Sequence, residues 1–260
     1  MDARQPKLRV FAGPNGSGKS TVIDFIRNYR VNEKKVEFGY YINADDIALS
    51  LKTKEGYSFK QFDFEALGEE FNLIISESGL LNNEFTLAEL IQTYKIVNNS
   101  IHCLHEQQIE RLAQIIADYL RKKLLKERKR FSFETVFSHR SKLDIMQDAV
   151  DAGYKVYLYF VCTESPEINK FRVEARMKKG GHSVPLDKIE TRYYRALDLL
   201  HDASQLAYQA FFFDNSEEGG NFKMFAHFKI IAAKKAWDDI NEDDIPNWFK
   251  IYYSGKVFKT

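Results

Sequence analysis

The residues Gly13–Ser20 are the first candidates for chemistry, because they read GPNGSGKS and match the phosphate-binding pattern G-x-x-x-x-G-K-[ST] in full. Glycines in this pattern let backbone N–H groups approach phosphate oxygens without obstruction by a Cβ atom. The motif predicts that Lys19 reaches the outer phosphates and that the hydroxyl of Ser20 ligates Mg²⁺. The predicted nucleotide-binding residues are Gly13, Asn15, Gly16, Ser17, Gly18, Lys19, Ser20 and Thr21. The expected ligands are ATP or GTP together with Mg²⁺.

A pair of carboxylates, Asp45 and Asp46, follows a strand-like run in YINADDIA (41–48). At the carboxyl end of a strand such side chains face the same edge of a sheet as the phosphate loop. An Asp held within hydrogen-bond reach of an acceptor hydroxyl accepts its proton during phosphoryl transfer. Capping of the following helix by Asn43, Asp45 or Asp46 is the alternative. Both interpretations stay open.

Glu134 and Thr135 end another strand-like run, in FSFETVFSH (131–139). We expect these polar groups at the same sheet edge, where a substrate would lie. The alternative is that Thr135 caps the next helix and Glu134 binds the loop. His139 is predicted to be a surface or capping residue.

Arginines recur in the segment 171–197, where Arg172 and Arg176 share one helix face and Arg192 and Arg195 share another. A Gly-Gly break separates the two helices, with His182 in the hinge turn. The pattern favours a lid over about 165–200 that closes on a triphosphate and neutralises charge on the transferred group. Solvated helix-face charge is the alternative for any single arginine.

Two further polar segments favour structural explanations. Asp214, Asn215 and Ser216 follow a strand and either border the nucleotide base or form a turn. The basic run RKKLLKERKR (121–130) is interpreted as a solvated helix face, and we do not expect a nucleic-acid site there.

The elements that position these residues alternate between strand-like and helical patterns. Strands are predicted at 7–12, 37–42, 131–134, 155–162 and 209–213. This alternation predicts an α/β fold, a three-layer arrangement of the P-loop NTPase type with a mostly parallel five-stranded sheet.

We expect one domain, 1–260, in which the interval 46–128 is a helical insertion after the second strand. Helix spacing is seen at Leu87, Leu90, Ile91 and Tyr94, and again at Ile109, Leu112, Ile116 and Tyr119. Residues 220–260 contain both tryptophans and are predicted to form a closing element.

The composition excludes several classes of protein. A net charge of +1 provides no overall field for nucleic acid or an anionic membrane, and no apolar run reaches the length of a bilayer span. Cys103 and Cys162 are the only cysteines, so we expect neither disulfides nor a zinc site. With no apolar signal-like segment at the N-terminus, a cytoplasmic protein is expected.

Taken together, GPNGSGKST, YINADDIA, FSFET and RVEARMKKGGHSVP with IETRYYRAL resemble the zeta-toxin-like branch of P-loop kinases. The best-known members of that family phosphorylate UDP-N-acetylglucosamine. The likeness covers about residues 7–47 and 131–216 and leaves the helical insertion out.

The resemblance implies a kinase that uses ATP or GTP with Mg²⁺. It matches the family's lysine and hydroxyl to Lys19 and Ser20, and its base to Asp45. Its substrate motif falls on Glu134 and Thr135, here adjacent without an intervening glycine, and its γ-phosphate arginines fall on Arg176 and Arg192. The implied partners are a small-molecule hydroxyl acceptor, such as a UDP-sugar, and an antitoxin protein if the chain is a toxin.

Two other functions stay open. An ATPase of the same fold would hydrolyse nucleotide without an acceptor. A nucleotide-binding or nucleic-acid-binding interaction protein would use the basic segment 121–130.

Overall fold

The computed structural model describes residues 5–83, 85–178, 185–217, 219 and 222–257. The Gly-Gly break and His182 of the predicted hinge lie outside these described residues. The chain divides into two compact units, one formed by residues 1–38 and 132–260 and the other by residues 39–131.

The first unit is built around a mixed sheet. Its strands are β1 (Lys7–Ala12), β2 (Arg30–Val31), β3 (Lys34–Lys35), β8 (Phe131–Thr135), β9 (Lys155–Cys162), β10 (Gln209–Asp214), β11 (Lys223–Ile231) and β12 (Lys234–Trp237). Its helices are α1 (Lys19–Asn28), α6 (Ser141–Asp151), α7 (Pro166–Lys178), α8 (Leu186–Asp198), α9 (Leu200–Gln205), α10 (Asn247–Phe249) and α11 (Gly255–Val257), with a π-helical turn at Lys250–Ser254. The sheet of this unit runs in the order β12-β11-β10-β9-β1-β8.

The centre of the sheet is parallel, and it carries the site. β1 pairs with β9 in the register Phe11↔Tyr159, and β9 pairs with β10 in the register Tyr159↔Phe211. Strands covered on both faces read as continuous apolar runs, and β1 is buried from Leu8 to Ala12. Because β1, β9 and β10 are parallel, the residues that follow them meet at one edge.

The predicted α/β fold with a mostly parallel central sheet is confirmed. The structure adds two strands: β11 pairs antiparallel with β10, and β12 pairs antiparallel with β11. The sequence predicted only a closing element in this region. Apolar and polar residues do not alternate cleanly along β11, so its strand character does not stand out in the sequence.

Residues after β12 pack on the end of β10. Trp248, Phe249 and Tyr253 are buried, and the Phe249 ring lies 4.9 Å from that of Phe212. The indole N–H of Trp248 donates to Asp214 Oδ2 at 2.8 Å. The carboxylate after β10 is therefore held by the C-terminal segment.

The second unit combines helices with a small sheet. It contains β4 (Tyr40–Ile42), α2 (Ala44–Leu51), β5 (Tyr57–Ser58), α3 (Gly68–Ser76), α4 (Leu87–Gln92), β6 (Tyr94–Val97), β7 (Ser100–Cys103) and α5 (Ile109–Lys126), with β5, β7 and β6 forming an antiparallel sheet. The second of the two helical patterns corresponds to α5, whose Ile109, Leu112, Ile116 and Tyr119 are all buried.

The first helical pattern is shorter than the sequence suggests. α4 ends at Gln92, and Tyr94 lies in β6 rather than in a helix. The reason is a hairpin turn at Asn98 and Asn99, which both adopt positive φ (50° and 58°) and pair β6 with β7. None of the described helices combines the length and hydropathy needed to cross a membrane.

Candidate active site

The loop between β1 and α1 has a backbone that only glycine can adopt at two positions. Gly13 has φ of 146°, and a Cβ there would lie 2.0 Å from the carbonyl oxygen of Val161. Gly18 has φ of 91°, and its Cβ would lie 2.1 Å from Nδ2 of Asn215. The loop therefore fits closely against the end of β9 and the residue that follows β10, and any side chain would push it away.

Helix α1 starts directly at this loop. Among the described residues, no side chain caps its N-terminus, where Gly18 takes the left-handed conformation. Ser20 and Thr21 lie in the exposed first turn. An uncapped helix N-terminus presents free N–H groups and a partial positive charge, which together bind anions.

Lys19 folds back over the loop and is almost fully buried. Its Nζ donates to the carbonyl oxygen of Pro14 at 3.1 Å and lies 3.8 Å from Oε1 of Glu134. Glu134 comes from the end of β8, so two residues predicted from separate motifs are brought together. The carboxylate offsets part of the lysine charge and holds the ammonium group at the loop.

Two buried asparagines bind the outer side of the loop. Asn169 of α7 donates from Nδ2 to the carbonyl oxygen of Asn15 at 2.7 Å, and its Oδ1 accepts from the hydroxyl of Thr163. Asn215, after β10, donates from Nδ2 to the carbonyl oxygen of Ser17 at 2.9 Å. The sequence analysis named Asn215 only as a turn or base-contact residue and missed Asn169.

Arginines of α7 and α8 approach the loop through neutral oxygens. Arg192 donates to Oδ1 of Asn15 at 3.4 Å. Arg172 donates to the carbonyl oxygens of Asn215 at 2.7 Å and Glu217 at 3.0 Å. Of the two arginines implied by the resemblance, Arg192 therefore contacts the loop, whereas Arg176 is exposed in the last turn of α7.

The two arginine-bearing helices are tied to each other and to the end of β9. Nζ of Lys170 lies 2.5 Å from Oε2 of Glu190. The hydroxyl of Tyr193 donates to the carbonyl oxygen of Thr163 at 2.7 Å. Burial, reinforced by neighbouring Cys162, raises the pKa of Tyr193 well above its usual range, so the phenol stays protonated as a donor.

No protein-family model matches the chain. Over 63 residues it is 35% identical to an uncharacterized protein of Haemophilus influenzae, a stretch that covers 24% of this chain and 45% of that protein. The chain thus spans less than half the length of this curated relative.

Solved structures provide a likeness over nearly the whole chain. A chain of the AvrRxo1-ORF1:-ORF2 crystal structure with ATP matches with a TM-score of 0.55 and 16% identity, over 97% of this chain and 65% of that one. A chain of the same complex with sulphate ions matches with a TM-score of 0.53 and 16% identity, over 90% and 61%. The protein therefore shares the α/β fold of these chains. The chain covers slightly less than two thirds of those chains.

Thr135 and His139 make local hydrogen bonds in the segment between β8 and α6. Oγ1 of Thr135 accepts from the backbone N–H of Phe137 at 3.1 Å. Nδ1 of His139 accepts from the N–H of Ser141, the first residue of α6, at 3.2 Å. His139 is therefore a capping residue, one of its two predicted roles.

Asp45 lies in the exposed first turn of α2, in the second unit. Oδ1 of Asn43 accepts from the N–H of Asp45 at 2.9 Å and caps this helix. Capping therefore does not require the carboxylate of Asp45, which leaves it available for other chemistry.

No group of three His, Cys, Asp or Glu side chains within the described residues has a metal-binding arrangement. Mg²⁺ in nucleotide sites takes few protein ligands and completes its shell with phosphate oxygens and water. The exposed hydroxyl of Ser20 at the start of α1 fits that kind of site.

The missed Asn169 has a weak signal in the sequence. It lies inside α7 at helical spacing from Pro166 and Val173, the positions that the structure shows buried with it, and asparagine has low helix propensity. A polar residue with no helical advantage in a buried turn points to a specific hydrogen bond, but the sequence does not reveal its partner.

Proposed function

We propose that the protein transfers the γ-phosphoryl group of ATP to a hydroxyl group of a small molecule. The carrying observation is the close fit of the loop: a Cβ at Gly13 or Gly18 would collide with Val161 of β9 or with Asn215 after β10. Among the residues that the structure describes, the helix that starts at this loop has no side-chain cap, so its first N–H groups are free to bind an anion. A preformed anion site of this kind can bind the phosphate groups of a nucleoside triphosphate. One similar solved structure contains ATP, which supports the choice of nucleotide.

The residues of the first unit would stabilise charge during the transfer. Lys19 is already held at the loop by Pro14 and Glu134, and Arg192 is held beside it by Asn15. Phosphoryl transfer depends mainly on positioning and on charge stabilisation, which preorganised cations supply. When bound, Mg²⁺ on Ser20 neutralises charge on the phosphate oxygens.

The chemical step needs a base for the acceptor. As the acceptor oxygen bonds to the γ-phosphorus, the bond from that phosphorus to the bridging oxygen of ADP breaks, and the acceptor proton passes to a carboxylate. We assign this role to Asp45 and acceptor binding to Glu134 and Thr135. Arg176 is proposed to join Arg192 on the transferred group.

The acceptor class follows from the sequence resemblance, and a UDP-sugar is the first choice. The similar structures are complexes of two proteins, ORF1 and ORF2, which supports a protein partner for this chain as well.

The ATPase alternative lacks a suitable residue at the end of β9. Glu164 follows there, but its Oε1 accepts from the N–H of Asn247 at 3.1 Å and its own N–H donates to Ser216 Oγ at 2.8 Å. These contacts hold Glu164 between the C-terminal segment and the turn after β10, which disfavours it as the residue that activates water.

The test is phosphoryl transfer from ATP with Mg²⁺ to a panel of sugar nucleotides, nucleosides and 5′-hydroxyl oligonucleotides, read by mass spectrometry. One acceptor class should gain a single phosphoryl group. Lys19→Ala should reduce the rate by about 100-fold or more, whereas Lys34→Ala, at an exposed lysine, should leave it unchanged.

The base assignment has its own control in the neighbouring carboxylate. Asp45→Asn should reduce transfer by about 100-fold, and Asp46→Asn should change it only slightly. If ATP is consumed in a Lys19-dependent way and no acceptor gains a phosphoryl group, the protein is an ATPase and the kinase proposal is wrong.

A further inference from the structure

We infer that Asn169 and Asn215 are positioning residues that hold the phosphate loop in its nucleotide-binding conformation. This inference rests on the proposed nucleotide-binding function. Neither residue belongs to the loop, and their amide groups reach it from two different elements, α7 and the end of β10.

The effect of the two amides follows from the geometry of the trans peptide. In a planar trans peptide the C=O and the following N–H point in opposite directions. Asn169 binds the carbonyl oxygen of Asn15, so the N–H of Gly16 points away from Asn169. Asn215 binds the carbonyl oxygen of Ser17, so the N–H of Gly18 likewise points away from Asn215. The two hydrogen bonds thereby fix the orientation of the N–H groups of Gly16 and Gly18, and oriented backbone N–H groups form anion-binding concavities.

Each asparagine is itself held rigidly. Asn169 is fully buried, and its Oδ1 accepts from the hydroxyl of Thr163. Asn215 donates its backbone N–H to the carbonyl oxygen of Cys162 at 2.9 Å, and its carbonyl oxygen accepts from Arg172. Rigid support of this kind preorganises a site, because no rotamer freedom is lost when the ligand binds.

The glycines of the loop are matched to these two residues. A Cβ at Gly16 would lie 2.6 Å from the carbonyl oxygen of Asn169, and one at Gly18 would lie 2.1 Å from Nδ2 of Asn215. The same glycines that let phosphate approach on one side therefore let the asparagines approach on the other.

Stability alone does not explain Asn215. Among the described residues its Oδ1 is buried without any hydrogen-bond partner, as is the hydroxyl of Ser17. A buried polar atom without a partner destabilises the folded state. Local destabilisation of this kind is typical of a functional site.

The experiment replaces each amide with a carboxyl group of the same shape. In Asn169→Asp and Asn215→Asp, a carboxylate oxygen faces the loop carbonyl where a donor stood. The dissociation constant of ATP, measured by titration calorimetry at pH 8, should rise by about tenfold or more in both variants.

A pH comparison separates positioning from mere structural damage. Because both positions are buried, the introduced carboxyl groups should have raised pKa values and be protonated in mild acid. A protonated carboxyl group donates a hydrogen bond, so the ratio of variant to wild-type affinity should recover at pH 5.5. Asn28→Asp is the matched control, because Asn28 also donates from Nδ2 to a backbone carbonyl, that of Asp24 at 2.9 Å, on the exposed side of α1. Its affinity should equal that of the wild type.

Affinities within twofold of the wild type at pH 8 in both aspartate variants would overturn the inference. So would a loss of affinity that persists at pH 5.5 in variants with native circular dichroism. If the folded wild type and Asn28→Asp both fail to bind ATP, the proposed function fails and takes this inference with it. If only Asn169→Asp and Asn215→Asp bind ATP weakly, the proposed function is unaffected.

Discussion

Two regions of the chain carry clusters of positively charged side chains. The side chains of the two regions bind different kinds of partner. At the end of α5, in the second unit, the partners are carboxylates. Arg121 is buried and lies 3.1 Å from Asp118, while Lys123 lies 2.6 Å from Glu70 and 3.1 Å from Glu127. The first three cations of the basic run 121–130, which the sequence analysis interpreted as a solvated helix face, are thus paired with carboxylates, whereas Lys126 and Arg128 are exposed.

On α7 and α8, in the first unit, Lys170 pairs with Glu190, but two arginines bind neutral oxygens. Arg172 binds two backbone carbonyls, and Arg192 binds the side-chain oxygen of Asn15. Among the residues that the structure describes, neither arginine pairs with a carboxylate.

The difference separates a structural role from the binding role proposed above. A cation paired with a carboxylate has its charge balanced, so little field remains for a ligand. A guanidinium held by neutral oxygens is oriented but keeps its full positive charge, which attracts an anion. The charge count of the two segments is similar, but only the α7–α8 region is suited to phosphate.

The largest expected effect lies in the carboxylate-paired region. Arg121→Met removes one partner of a buried pair and should lower the free energy of unfolding by about 3 kcal/mol. Lys122→Met removes the half-exposed cation 3.6 Å from the same Asp118 and should cost less than about 1 kcal/mol. Urea denaturation measures both, and equal losses would show that Arg121 is no more than a surface charge.

The next effect lies in the neutral-oxygen region and appears in activity. Arg192→Gln should reduce phosphoryl transfer by about 100-fold and change the free energy of unfolding by less than about 0.5 kcal/mol. Arg195→Gln, at an exposed position on the same helix, should change neither. A stability loss at Arg192 as large as that at Arg121 would erase the distinction between the regions.

The smallest effect is a pH dependence that compares two lysines. Hydroxyls and rings surround Lys235, and desolvation by burial lowers its pKa to about 8. Burial also opposes the charge of Lys123, but its hydrogen bonds to Glu70 and Glu127 outweigh this and raise its pKa.

The sign follows from proton binding. Between about pH 8 and pH 10 the unfolded chain, with a lysine pKa near 10.4, binds more protons at position 235 than the folded chain does. The contribution of Lys235 to the free energy of unfolding therefore rises with pH across this window and is constant at lower pH. Lys235→Met should remove this rise, measured as the urea midpoint at each pH, whereas Lys123→Met should keep it. If the urea midpoint of Lys235→Met still rises with pH as in the wild type, the lowered pKa does not belong to Lys235.

Much of the fold was predictable because its signals are local. The strand before Gly13, the helix after Gly18 and the buried face of α5 each follow from residues close together in the chain. Strand β6 was not predictable from periodicity, because the spacing of the apolar residues up to Tyr94 also fits a helix. The hairpin turn at Asn98 and Asn99 places Tyr94 in a strand instead.

The sequence by itself determined the glycine-rich loop between β1 and α1, and its glycine pattern, lysine and hydroxyl on contiguous residues predict an anion site there. Tertiary structure alone decided what holds that loop and which cations remain unbalanced. Asn15 and Asn169 are 154 residues apart, and Ser17 and Asn215 are 198 apart. Contacts over such distances depend on the order and register of parallel strands, and a linear pattern of residue types does not contain that information.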